Sequence, residues 1–262
     1  MTKDFTLFLW LLKIGTLLNV FFFARTWRFL EGEYDLSIVV PAQILFAVSA
    51  YRCSFPNRYE DDVVFHDSVL SSTFVTRVLA TFAELAFIYL LSHLIRRLNA
   101  DHVAWVDLLS WVMVAQVTLS QVFVWGAILT GRLGLYFWEE VGWGVIITAN
   151  TLASAWLYGT TAPTANQTLL LQLNLLFGLV YLPWQVMHLR ALLEDARSHV
   201  ESIAPIDLSL LSKGLRRSIS RRTRSTDSEA WGGIIGLTWM TAYWATLIPI
   251  WVYEIVMSSA AV

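Results

Sequence analysis

Seven separate stretches of this chain stay apolar long enough to cross a bilayer: approximately 5–24, 36–53, 69–95, 103–130, 134–159, 167–190 and 231–257. A hydrocarbon core of about 30 Å takes about 20 mostly apolar residues in a helix. Inside it the backbone has to satisfy its own hydrogen bonds, which a helix does without help from a neighbour. The repetition therefore predicts an all-α fold: a polytopic integral membrane protein, a seven-transmembrane-helix bundle forming one domain over residues 1–262. Composition agrees, since 56% of residues are hydrophobic and 15% charged, where soluble domains carry about 25% charged residues. The second stretch is the weakest, being short and holding Pro41 and Gln43, and is expected to tilt or kink. The first lacks a small-residue cleavage site and is expected to be a retained span.

Residues 191–230 form the one long polar segment and concentrate the basic residues Arg197, Lys213, Arg216, Arg217, Arg221, Arg222 and Arg224. Within it Leu208, Leu211, Leu215 and Ile219 fall on one helical face with Lys213, Arg216 and Arg217 off it, the pattern of an interfacial amphipathic helix. The adjoining Arg-Arg-Thr-Arg-Ser-Thr-Asp-Ser reads as a flexible, phosphorylatable tail. Positive charge orients membrane proteins. Placing the N-terminus on the cytoplasmic-type side gathers Lys3, Arg52, Arg58, Arg132, Arg190 and the basic loop there, with the C-terminus opposite.

Polar residues within spans should face the bundle interior, because lipid offers them no partners. In the third span Thr73, Arg77, Thr81 and Glu84 share a face, entered through His66-Asp67-Ser68. The sixth aligns Asn174, Gly178, Tyr181, Gln185 and His188, and the fourth aligns Asp107, Ser110, Thr118 and Gln121. The fifth carries Glu139, Glu140 and Asn150, and the seventh stacks Trp239, Tyr243, Thr246 and Tyr253. Arg77 and Glu84 lie two turns apart, beyond the spacing at which helical neighbours pair. Each is expected to find a partner elsewhere: Glu139 or Glu140 for Arg77, and Asn174 or Gln121 for Glu84. Gly232-x-x-x-Gly236 reads as a close helix–helix contact.

Several chemistries are excluded. A covalent retinal pigment needs a lysine in its last span, and the only lysine within a span is Lys13. A two-histidine haem needs histidines paired across helices, but His66, His93, His102 and His188 sit at span ends and His199 in the loop. A catalytic zinc takes three protein ligands, which His66 and Asp67 do not supply. There is no acidic-Arg-aromatic triplet after the third span, and no P-loop, GxSxG or dinucleotide fingerprint. A net charge of −2 with no basic face beyond one loop argues against nucleic acid. No cofactor is identified, and the lone Cys53 excludes an internal disulfide.

Three functions fit what is left. The first binds or acts on a lipid or small apolar molecule in a polar-lined intramembrane cavity. Glu84, Glu139 and Glu140 would act there as acids or bases, and Arg77, Thr81, Asn174, Tyr181, Gln185, His188, Gln121 and Asp67 as binding groups. The second is an accessory subunit of a larger membrane assembly. The third is a proton or cation transporter using Glu84 and Asp107. The partners expected are membrane lipids, joined by other membrane subunits in the second case.

Overall fold

A computed structural model of the chain describes residues 4–31, 34–59, 61–161, 163–198 and 206–259. It divides into two compact units, one drawn from Met1–Ala86 and Ile206–Ala260, the other from Phe87–Pro205. The residue His199 and the segment 200–205 of the basic loop lie outside the described residues, as does Lys3.

In the first unit α1 (Thr6–Trp27) packs along α2 (Leu36–Ser54). Polar groups of the two helices meet across that seam. Gln43 donates to the Phe23 carbonyl at 3.0 Å and to the Thr26 hydroxyl at 2.5 Å, and Lys13 donates to the Ser54 carbonyl at 3.1 Å. Pro41 lies inside α2, and Asp35 caps the helix by accepting from the Ser37 amide at 2.9 Å. The third helix, α3 (Thr73–Leu98), begins in this unit.

The last apolar stretch is not one continuous α-helix. Two α-helical pieces, which we call α8 (Gly233–Trp239) and α9 (Leu247–Ser259), flank a π turn over Met240–Ala245. That turn ends the expected Trp239–Tyr243–Thr246–Tyr253 stack, because it shifts the phase of every later residue. Trp239 still stacks on Tyr243, but Thr246 faces outward and Tyr253 stacks on Phe22 of α1 at 4.4 Å. The Trp244 carbonyl in the turn accepts the side-chain amide of Asn19, fully buried on α1, at 2.9 Å. The close helix contact sits here. A Cβ on Gly15 would lie 2.7 Å from the Ala245 Cβ and 2.8 Å from the Cys53 sulfur. Gly232 and Gly236 serve a local turn instead: Gly232 has φ +77, and a Cβ on Gly236 would meet the Trp231 carbonyl at 1.8 Å.

Strands β1 (Asn57–Arg58), β2 (Val63–Val64) and β3 (Thr223–Arg224) form a small sheet, β1 antiparallel and β3 parallel to β2. The segment read as a flexible tail is thus an edge strand. Thr223 donates to the Asp62 carbonyl at 2.8 Å, Ser225 to the Val64 carbonyl at 3.2 Å, and Phe5 to the Thr226 carbonyl at 2.7 Å. Arg222 reaches Asp67 at 2.8 Å and Arg221 reaches Asp62 at 3.7 Å. The fully buried Trp231 ring donates to the Ser225 carbonyl at 2.9 Å. Just before β3, α7 (Leu208–Ser220) is the helix expected within the basic loop.

The second unit holds the rest of α3 with α4 (Ala104–Thr130), α5 (Gly134–Thr160) and α6 (Ala165–Ser198), α5 packing on both α4 and α6. The α3–α4 turn is built by Asn99, whose amide donates to Asp107 at 2.8 Å and whose oxygen accepts from the Val103 amide at 3.0 Å. Gly131, at φ 74, closes α4 in the left-handed conformation.

Among the described residues six helices are long and apolar enough to cross a membrane: Thr6–Leu30, Leu36–Ser54, Thr73–Leu98, Ala104–Thr130, Ala165–Glu194 and Gly233–Ser259. They make the chain an all-α bundle of membrane type. The 27-residue α5 is not among the six, because Glu139, Glu140, Asn150 and several glycines stand where its neighbours carry aliphatic side chains.

Candidate functional site

The candidate residues divide between the units: Asp67, Arg77, Thr81 and Glu84 in the first, and Gln121, Glu139, Glu140, Asn174, Tyr181, Gln185 and His188 in the second.

In the first unit Arg77 and Glu84 pair with each other, Nη2 to Oε2 at 2.5 Å, both nearly fully buried. This corrects the expectation that two turns is too far. Seven residues rise about 10.5 Å, but the Cα–Cβ bond of a helical residue leans toward the N-terminus. Glu84 therefore leans back toward Arg77, and the long arginine chain lies along the helix to meet it. The guanidinium also sits 5.7 Å from the Tyr59 ring. Thr81 is half-buried one turn on from Arg77. Asp67 is exposed and belongs to the surface clasp with Arg222.

Arg52 was not singled out from the sequence, yet it is the second buried cation of this unit. It occupies the last turn of α2 at 5% exposure, 4.7 Å from the Trp244 ring of the π turn. Its Nη1 donates to the Asn57 oxygen at 3.1 Å, and Asn57 in turn donates to the Ser71 carbonyl at 3.0 Å and the Thr76 hydroxyl at 2.9 Å. The neighbouring Tyr51 hydroxyl donates to the Leu70 carbonyl. Among the described residues no carboxylate lies within ion-pair distance of Arg52, and its buried Nε has no hydrogen-bond partner. Arg77 is close enough to repel it and Glu84 to attract it. This guanidinium, flanked by an aromatic face and an amide, is suited to an anion.

Just outside the helices, burial holds the Asp62 carboxyl above the usual carboxylate range, opposed by the Thr73 hydroxyl and by Arg217 and Arg221. Burial, then Lys13 and Arg224, push His66 below the ordinary imidazole value.

The second unit places its groups at two levels. At one, Gln185 donates to the Glu140 carboxylate at 2.8 Å and to its carbonyl at 2.6 Å, while His188 Nε2 lies 3.7 Å from the same carboxylate. The His188 ring stacks on Trp184, and Tyr181 and Phe177 continue the aromatic row. Buried Glu139 accepts on its backbone from Ser120, at 3.3 Å, and Gln121, the next residue of α4, is also buried. About 16 Å along α6, fully buried Asn174 donates to Ser154 at 3.0 Å and Asn150 at 3.4 Å. The Asn174 amide is therefore engaged within its own unit rather than with Glu84. Thr118 faces outward, its hydroxyl donating to the Val114 carbonyl of its own helix. Among the described residues no three His, Cys, Asp or Glu side chains are placed to hold a metal ion.

No protein-family model, curated protein or solved structure matches the chain. What the protein does has to be argued from these two polar centres within a bundle of membrane type.

Proposed function

We propose that this is a seven-span membrane protein that binds an anionic amphiphile, a lipid or lipid-like molecule with a phosphate or carboxylate head, through Arg52. The observation that carries the reading is that Arg52 is buried with no carboxylate beside it among the described residues and with one N–H unused. An arginine at the centre of a membrane helix costs about 3 kcal/mol on insertion scales. A position at a helix end lowers that cost, and an anionic head would remove most of the rest while taking the spare donor. Arg77 and Glu84 then hold the α3 wall of the site, and Asn57 orients the guanidinium.

Parity supports a seventh crossing by α5. The α2–α3 connection and β3 meet in one sheet, so between them the chain has to cross the membrane an even number of times. Helices α3, α4 and α6 alone would give an odd number, and α5 restores the balance.

Native mass spectrometry of the protein released from nanodiscs tests the binding reading, with phosphatidic acid compared with phosphatidylcholine and with inorganic phosphate alone. Retention of phosphatidic acid, weakened at least about tenfold (about 1.4 kcal/mol) in Arg52→Met but preserved in Arg52→Lys, is the expected result. Equal retention of both lipids, or no change in Arg52→Met, overturns it. Should Arg52→Met fail to fold, Asn57→Leu, which removes only the orienting amide, gives the same comparison. Retention of phosphate without lipid would point to a free anion.

A further inference from the structure

Helix α7 shows three distinct faces. Its N-terminus is capped by Asp207, which accepts from the Leu210 amide at 2.7 Å. Gly214 and Ser218 are buried against the protein, with Leu211 and Arg217 half-buried beside them. Leu208, Leu215 and Ile219 are exposed at 85%, 40% and 40%, and they fall within about 40° of arc at 100° per residue. Next to that stripe, on the side away from the protein, Lys213 and Arg216 are exposed together with Ser209 and Ser220. A helix that is apolar on one exposed face and basic on the next suits the boundary of an anionic leaflet.

The strand after α7 sets the depth of the helix. With two residues between them, α7 is followed by β3, which pairs with β2 between the end of α2 and the start of α3. Thr226 then accepts from Phe5, the residue before α1. The strap carrying α7 is therefore fastened at the level where three membrane-type helices begin or end. From the faces of α7 and this anchorage we infer that α7 lies in the plane of the adjoining leaflet. Leu208, Leu215 and Ile219 enter the acyl boundary, and Lys213 and Arg216 rest on anionic headgroups. The occupant of this surface is an anionic lipid bilayer face, matched to it by charge, whatever Arg52 binds.

The full-length protein with Leu215→Cys carrying an environment-sensitive fluorophore tests this in nanodiscs of phosphatidylcholine, with and without phosphatidylglycerol. Cys53 is fully buried and stays out of the labelling reaction. A second protein labelled at Ser209→Cys, on the basic arc, is the internal reference. The expected result is a blue-shifted label at position 215, quenched by lipid-borne quenchers most strongly in the anionic discs, while the label at 209 reports water. Lys213→Gln with Arg216→Gln should then lower the ratio of lipid-exposed to water-exposed label by about fivefold for each charge removed. A label at 215 as water-exposed as the one at 209 overturns the inference. So does insertion that is equal in neutral discs and unaffected by the double substitution, because the basic arc would then read no charge.

Discussion

The first unit buries Arg77 against Glu84 and Arg52 against an amide and an indole, whereas the second meets Asn174 with neutral Asn150 and Ser154. Both arrangements keep polar side chains out of lipid, but they differ in their response to the loss of one partner. Truncating half of a buried ion pair leaves a charge in a low dielectric, whereas truncating one amide leaves a neutral group that finds a backbone carbonyl or water. The neutral amide and hydroxyl contacts around Asn174 act as local glue, whereas the Arg77–Glu84 pair of the first unit stands or falls together.

The sharpest way to break this comparison is Arg77→Ala. It should lower unfolding stability in bicelles by about 3–5 kcal/mol, more than any truncation of a neutral group in the second unit. Arg77→Met combined with Glu84→Leu should recover most of that loss, since neither member of the pair is then left buried without the other. A loss below about 1 kcal/mol for the single change would mean that α3 is held by its apolar contacts alone and that the two units do not differ in kind.

The range over which each force acts decides which features were legible in the sequence. Bilayer thickness acts locally on about 20 residues, so the apolar runs marked most helices to within a few positions, while α6 continues to Ser198, past the apolar run that ended near 190. The shared face of Thr73, Arg77, Thr81 and Glu84 was legible for the same reason, but the pairing was not, because it depends on side-chain length and lean rather than spacing. Arg52 was counted only among the charges that orient the chain, because a basic residue ending an apolar run reads as one that snorkels to water. Its burial depends on Trp244, which is distant in sequence. The β3 strand left no local period, since its partner lies in the α2–α3 loop. Thr118 was misread because a threonine that closes on its own helix can face lipid at little cost.

Two glycines sharpen the comparison at the next level of effect. A Cβ on Gly15 would meet both the Cβ and the backbone Cα of Ala245, at 2.7 and 2.9 Å. A Cβ on Gly178 would meet only the side chain of Thr151, at 2.0 Å from its hydroxyl. Thr151 can change rotamer, but the Ala245 backbone cannot move without disturbing the π turn. Gly15→Ala should therefore cost about 1–3 kcal/mol and Gly178→Ala less, measured by the same unfolding assay. The reverse order would place the stiffer packing in the second unit. Below both, Asn174→Leu should cost about 0.6–1.7 kcal/mol, the range of hydrogen bonds between membrane helices. A larger loss would make the amide centre as demanding as the ion pair.

The smallest effect expected is the one that ties the surface clasp to pH. Asp62 accepts from the Thr73 hydroxyl at 2.9 Å and faces Arg221, yet burial raises its pKa above the ordinary value of 3.8. A carboxyl whose folded pKa is raised makes a contribution that is fully present below the unfolded value and is lost as pH rises through the folded one. Asp62→Asn should therefore leave stability at neutral pH unchanged or raise it by less than about 1 kcal/mol, and should flatten the pH dependence just above 3.8. If instead Asp62→Asn destabilises the protein at neutral pH and frees residues 221–225 to hydrogen exchange, the Asp62–Arg221 contact outweighs burial. Charge pairing would then govern the surface of the first unit as it governs its interior.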